Sequence, residues 1–245
     1  VVHGTATALP QVLIVHGLFG SARNWGAIAK RLSVDRQVIA VDMRNHGTSA
    51  WQATNSYFDM GQDLADVLKE PTDVVGHSMG GKAAMLLAMQ SPEMVRRLVV
   101  ADIAPVTYSH SQMPMIDAMR SVDLNVVNTR KDADAQLAQS IDEAGVRAFL
   151  LQSLDVKERR WRLNLDVLAA EMDAIIGFPD VDFVCHAPTL FLSGGDSDYV
   201  QEAHRPAIKS KFPKARFARI PDVGHWLHAE KPRAFEETVR FFLDA

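Results

Sequence analysis

Two short glycine-framed motifs could carry nucleophilic chemistry. Gly76-His77-Ser78-Met79-Gly80 follows a β-branched run at Asp73–Val75 and opens into an apolar helical stretch beginning Gly80-Gly81. A serine on so sharp a strand-to-helix turn projects its hydroxyl above a sheet, and flanking glycines leave room for the strained backbone. Five residues alone would also describe an ordinary turn serine; the strand before and the helix after favour a nucleophile. Such a hydroxyl needs a base within hydrogen-bond reach, itself oriented by a third group. His225, in Asp222-Val223-Gly224-His225-Trp226, is the candidate base, because it falls after the serine and between the last strand and last helix of the pattern. His228 is a rival that reads as the start of that helix or a surface residue. His16, His46 and His77 sit in tight glycine turns, where a structural hydrogen-bonding role is the expectation.

Acyl transfer also calls for N–H donors aimed at a developing oxyanion. Met79, directly after the serine, supplies one at the top of the helix. Leu18, in the turn His16-Gly17-Leu18-Phe19-Gly20 after the first strand, supplies the other.

The elements that must position these residues alternate along the chain. Strands are expected at 11–15, 37–42, 73–76, 97–102, 189–193 and 216–220, with helices at 24–32, 60–68, 80–90, 200–211 and 232–243. That alternation predicts an α/β fold with a mostly parallel sheet covered by helices on both faces. Between Pro105 and Ala187 no strand is expected, and helical spacing recurs at 114–123, 132–143, 146–154 and 164–176. The span is too long for a loop in a compact domain. It reads as a helical cap, residues 105–187, inserted into a core made of 1–104 and 188–245. Met113, Met115, Met119 and Met172 would suit an adaptable apolar surface, or plain core packing.

The 245 residues are 47% hydrophobic and 23% charged, the balance of a globular chain, and the net charge of −4 is scattered. Nucleic acid is therefore excluded as a partner. No signal-like apolar segment and no membrane-spanning run is present, and Cys185 is the sole cysteine, read as a buried thiol. A cytoplasmic protein without membrane contact is the expectation; oligomeric state is not readable.

The stretches HGLFGSARNW (16–25), DMRNHGTS (42–49), GHSMGGKAAM (76–85) and GHWLHAEKP (224–232) together resemble the α/β-hydrolase superfamily, in particular its YbfF-like esterase branch. The resemblance runs from about residue 11 to the C-terminus and is weakest across the cap. It implies the α/β-hydrolase fold and hydrolysis of short to medium carboxylic esters, with acyl-CoA thioesters as a further substrate class and no cofactor. A small-molecule ester is the implied partner. In most relatives the triad acid sits three residues after a glycine and three before a valine; here Gly194 and Val200 place Ser197 there, which cannot carry the charge that stabilises an imidazolium. Asp102, closing the apolar strand Leu98–Ala101 at the carboxyl edge of the sheet, is the alternative that some superfamily members use, with Ser197 as an auxiliary hydrogen-bond partner. Asp196 and Asp198 remain candidates, and Asp102 could instead cap the loop before Pro105. Asp42 and Arg44 read as a charged pair locking a loop; Lys82 and Arg23 read as solvated surface that could meet an anionic substrate. Ser78 excludes epoxide hydrolases and haloalkane dehalogenases, which need aspartate there. A C–C bond hydrolase, a perhydrolase, or a low-turnover ligand-binding protein stay open as alternatives.

Overall fold

The computed structural model describes all residues 1–245. The chain runs β1 (Val2–His3), β2 (Val12–Val15), α1 (Gly26–Leu32), β3 (Val38–Val41), α2 (Tyr57–Val67), β4 (Thr72–His77), α3 (Met79–Gln90) and β5 (Val95–Ala101). After β5 come α4 (Met113–Ser121), α5 (Arg130–Leu137), α6 (Ala144–Leu150), a two-residue hairpin β6 (Leu154–Asp155) and β7 (Arg160–Trp161), α7 (Leu165–Ala170) and α8 (Met172–Ile176). The chain then returns to β8 (Thr189–Gly194), α9 (Arg205–Lys211), β9 (Ala215–Ile220), α10 (Leu227–Glu230) and α11 (Pro232–Asp244).

Seven strands form one sheet in the order β1-β3-β2-β4-β5-β8-β9. Only β1 runs antiparallel to its neighbour; all other pairs are parallel. The six expected strands are all present with ends shifted by one or two residues. β1 and the β6–β7 hairpin were not expected, because two residues are too few to show a period. The hairpin corrects the reading of 105–187 as free of strands.

The central strands are buried on both faces, so they read as apolar runs, but successive side chains still part to opposite sides. Leu13, Val15, Val74, Leu98 and Val100 pack with α2, α3 and the inserted helices in one core. Val12, Ile14, Val75, Val99 and Ala101 pack with α1 and α11 in the other, against Ile28, Leu32, Phe235 and Val239. At about 25 cal/mol per Å² of apolar surface removed from water, these two cores are the main favourable term in folding. No helix is long and apolar enough to cross a membrane.

The parallel order brings the carboxyl ends of β4, β5 and β8 side by side, since Gly76 pairs with Val100 and Ala101 with Leu192. Helix α3 must start hard against the sheet to follow β4 without a loop. A Cβ on Gly80 would collide with the carbonyl oxygens of His16 and Val15, which is why that position is glycine. Gly80→Ala should therefore cost about 3 kcal/mol or more. Gly145, in α6 with open space around its Cα, offers the contrast: Gly145→Ala should be neutral or stabilising by up to about 1 kcal/mol. Thermal melts of the two variants check both; equal melting temperatures would contradict the account.

Candidate active site

Ser78 lies in the turn between β4 and α3 with φ 52° and ψ −124°, outside the favoured regions for an L-residue. Its backbone is held by neighbours rather than by preference: its N–H donates to Ala101 O at 3.0 Å, and its own carbonyl accepts from Lys82 N–H at 3.1 Å. Glycine at 76 and 80 lets this turn close, because a Cβ on Gly76 would meet the Gly80 carbonyl.

The Ser78 hydroxyl oxygen is 3.1 Å from His225 Nε2, and His225 Nδ1 is 2.8 Å from Asp102 Oδ2. An ionised carboxylate can only accept, so Nδ1 carries the proton and Nε2 turns its lone pair toward the hydroxyl. Asp102 follows β5, has φ 53° and is fully buried. Its N–H continues the ladder to Leu192 O at 2.8 Å, while Oδ1 accepts from Gly194 N–H at 2.9 Å. The Ser197 hydroxyl donates to Oδ2, the oxygen that also faces His225. A buried carboxylate is tolerable only when so many donors meet it. Asp196 and Asp198 are exposed and point no carboxylate at His225.

The turn at residues 16–20 is shaped by two histidines. His46 Nε2 accepts from Phe19 N–H at 3.2 Å while its Nδ1 donates to Arg44 O, and Ser153 Oγ donates to Phe19 O. His16 Nε2 accepts from Met43 N–H at 2.9 Å and Nδ1 donates to Gly17 O. Leu18 N–H takes no backbone acceptor, and Met79 N–H, first in α3, has no intrahelical partner. His77 Nε2 donates to His225 O at 2.8 Å, fixing the backbone of the candidate base. Each of these rings uses one nitrogen as donor, and in His16 and His46 the other is an acceptor that only a neutral imidazole offers. Burial pushes all three below the ordinary histidine value, His46 to about 3.

Several residues stand elsewhere than the sequence suggested. His228 is buried in α10 and stacks on Trp25 with ring centres 4.1 Å apart and planes 6° off parallel. Burial lowers its pKa to about 3, so it is a core histidine in the first turn of the short α10, ahead of the last helix and not on the surface. Asp42 and Arg44 do not pair: Asp42 accepts from Ala22 N–H and from Thr48, whereas Arg44 grips Asp63 at 2.6 and 2.8 Å. Two residues apart at a strand end, their side chains leave in different directions. Arg23 is exposed and Cys185 is buried.

Lys82 is the largest departure. It is 1% exposed, not solvated, with Nζ donating to Val106 O at 3.0 Å, Ile176 O at 2.9 Å and Gly177 O at 2.5 Å. All three ammonium donors are thus committed, leaving none for an anionic substrate. The Tyr108 ring lies 4.8 Å and the Tyr57 ring 5.7 Å from the same Nζ. Lys82 thereby ties α3 of the core to both ends of the inserted segment. Nothing in the apolar pattern of α3 marks it.

Above Ser78 opens a cavity of about 260 Å³, mostly apolar, walled by Leu18, Ile103, Met115, Phe149, Ile176 and Trp226 among others. Of the four methionines singled out between residues 105 and 187, only Met115 lines it; Met119 and Met172 are buried in the core. Tyr199, which no spacing marked, stacks on His225 at 4.0 Å and is itself held by Tyr108 Oη donating to its carbonyl. No grouping of side chains suited to a metal ion is present.

Fold and geometry together identify the class: the chain belongs to the family described as alpha/beta hydrolase fold, which matches residues 10–232. Among its relatives is the mouse protein named sn-1-specific diacylglycerol lipase ABHD11, 46% identical over 98% of this chain and 82% of the relative. Esterase YbfF of Escherichia coli is 40% identical over 95% of this chain and 92% of its own length. A solved structure titled Marine microorganism esterase superposes with a TM-score of 0.93 at 38% identity, covering 99% of this chain and 98% of that one. The α/β-hydrolase resemblance and its YbfF-like branch are thereby confirmed.

The Lys82 clamp has a measurable pH signature. Burial pushes its pKa from 10.5 to about 7, so between those values the unfolded chain binds more protons than the folded one. Stability contributed by this group must then rise with pH through that window, by at most about 1.4 kcal/mol per pH unit. Lys82→Met removes both the titration and the donors, leaving three carbonyls unsatisfied. Urea titrations should show wild type exceeding the variant by a margin that widens from pH 7 to pH 10. A constant or shrinking margin would contradict the lowered pKa of this buried amine.

Proposed function

We propose that the protein is a serine esterase that hydrolyses carboxylic esters, and acyl-CoA thioesters among them, through an acyl-enzyme and without a cofactor. The observation that carries this reading is the continuous hydrogen-bond chain from Ser78 through His225 to the buried Asp102, set at the floor of an apolar cavity. The names of the relatives, esterase and lipase, support ester hydrolysis.

In this mechanism the substrate's acyl chain lies in the apolar cavity and its carbonyl oxygen enters the space between Leu18 and Met79. His225 Nε2 takes the Ser78 proton as Oγ attacks the carbonyl carbon. The oxyanion that forms is held by the two backbone N–H groups, which are already oriented and unengaged, so little reorganisation opposes the step. Asp102 stabilises the imidazolium and keeps its tautomer fixed. The intermediate collapses as His225 returns the proton to the leaving alcohol or thiol. Water then attacks the acyl-enzyme with His225 again as base, releasing the acid and restoring Ser78.

Ser197 is a positioning residue here: its hydroxyl holds Asp102 Oδ2 so that the same oxygen faces His225. Residues 105–187 act as the cap that walls the acyl pocket, and residues 1–104 with 188–245 form the core that carries the chemistry. The reaction is placed in the cytoplasm, in keeping with a single unpaired thiol.

Kinetics on a p-nitrophenyl ester series separate the roles. Ser78→Ala should abolish turnover, and Asp102→Asn should lower kcat by about 10³–10⁴-fold. Ser197→Ala should lower kcat by less than about tenfold with little change in KM, since Gly194 and His225 still hold the carboxylate. Asp198→Asn should match wild type. Full activity in Asp102→Asn, with collapse in Asp198→Asn, would overturn the assignment of the acid.

A further inference from the structure

A second concavity, of about 220 Å³, lies one side-chain contact from the active cavity and is lined by Arg23, Arg130, Lys157 and Arg162, with Asp155 as its sole carboxylate. Four cations against one anion is the reverse of the whole chain, whose net charge is −4. The cations come from four separate places: the turn before α1, the start of α5, the tip of the β6–β7 hairpin and the residue after β7. Two are braced. Arg130 donates through Nε and Nη2 to the carbonyls of Leu151 and Leu154, and Arg162 donates through Nε and Nη2 to Asp155 Oδ2. Both keep Nη1 free. Arg23 and Lys157 make no ion pair at all, although carboxylates elsewhere on the surface pair readily with arginine.

The two cavities share no lining residue and are separated by one side-chain contact. Arg23 precedes Asn24, which lines the active cavity, and Asn24 Nδ2 donates to Gln152 Oε1 at 2.6 Å; Gln152 in turn lines the cationic concavity. Leu150, on the wall of the active cavity, lies two residues before Gln152. A leaving group that extends over the Asn24–Gln152 contact reaches guanidinium groups whose planar forks match the oxygens of a phosphoryl group. A concave site of one charge sign also concentrates its field on the ligand.

We propose that this concavity is an anion subsite that binds a phosphoryl group on the alcohol or thiol side of the substrate. The inference rests on the serine esterase reading and narrows its substrates to esters or thioesters with a phosphorylated leaving group. Two sources present that chemistry: the phosphates of an acyl-CoA thioester and the phosphodiester of a phospholipid. The neutral end of the substrate remains in the apolar cavity over Ser78.

The test compares matched substrates with and without phosphate. One arm pairs butyryl-CoA with S-butyryl-N-acetylcysteamine; the other pairs dihexanoylphosphatidylglycerol with dihexanoylglycerol, each below its aggregation threshold. In at least one arm, KM for the phosphorylated member should be tenfold or more below that of its partner at 50 mM salt, and the advantage should shrink at 0.5 M as charge is screened. The arm that shows it names the source. Arg23→Glu/Lys157→Glu should erase the KM ratio, whereas Lys214→Glu, which changes surface charge beside β9, should not. Isothermal calorimetry of Ser78→Ala with inorganic pyrophosphate reads the subsite without catalysis, and binding should disappear when Arg23→Glu and Lys157→Glu are added to it. Equal KM values in both arms, with no pyrophosphate binding, would overturn the subsite while leaving ester hydrolysis intact. Pyrophosphate binding without turnover of any ester would leave the subsite standing and overturn the esterase reading.

Discussion

Everything above Ser78 depends on one carboxylate that has no contact with solvent. Asp102 is fully buried at the end of β5, and a charge there is sustained only because donors from three other places converge on it: Gly194 at the end of β8, Ser197 in the loop that follows, and His225 after β9. That convergence requires the parallel order β4-β5-β8-β9, which sets the carboxyl ends of neighbouring strands at one edge of the sheet. Backbone strain gathers at the same edge. Ser78 and Asp102 both have positive φ, held by ladder hydrogen bonds to Ala101 and Leu192, so the Ser78 hydroxyl and the Asp102 carboxylate are aimed by the sheet rather than by flexible loops.

A second constraint is that the histidines around the site stay neutral. His16 and His46 each serve as donor on one nitrogen and acceptor on the other, and the acceptor of His46 is what engages Phe19 N–H beside the unengaged Leu18 N–H. Protonation would remove that acceptor and free the turn. Burial prevents it, which makes these rings part of the scaffold that holds the 16–20 turn rather than rivals to His225.

The fold was largely legible because its strands are apolar runs separated by helices, a pattern that survives without tertiary information. The Gly-x-Ser-x-Gly turn was legible for a related reason: its glycines answer a local steric demand, a strand passing straight into a helix. Asp102 with Ser197 as its hydrogen-bond partner was legible from the strand end and the family pattern, but Asp196 and Asp198 stayed open beside it. What decides among them is the sheet order: Ser197 and Asp102 stand 95 positions apart, and their contact follows from β5 lying beside β8. Lys82 was misread because its burial is imposed from outside, by carbonyls of Val106, Ile176 and Gly177 arriving with the inserted segment. His228 was misread because its stacking partner, Trp25, comes from the other end of the chain. Tyr199 left no signal at all, since an aromatic residue in a loop has no periodicity to betray what it covers.

The central claim is that Ser78 is an activated nucleophile. Its most direct test is labelling of the native protein with an alkyl fluorophosphonate, followed by peptide mass mapping. The account predicts one phosphonyl group per chain, on Ser78, formed at a rate that falls sharply in Asp102→Asn and vanishes when urea unfolds the sheet edge. An unlabelled native protein, or an adduct on any other residue, would contradict it.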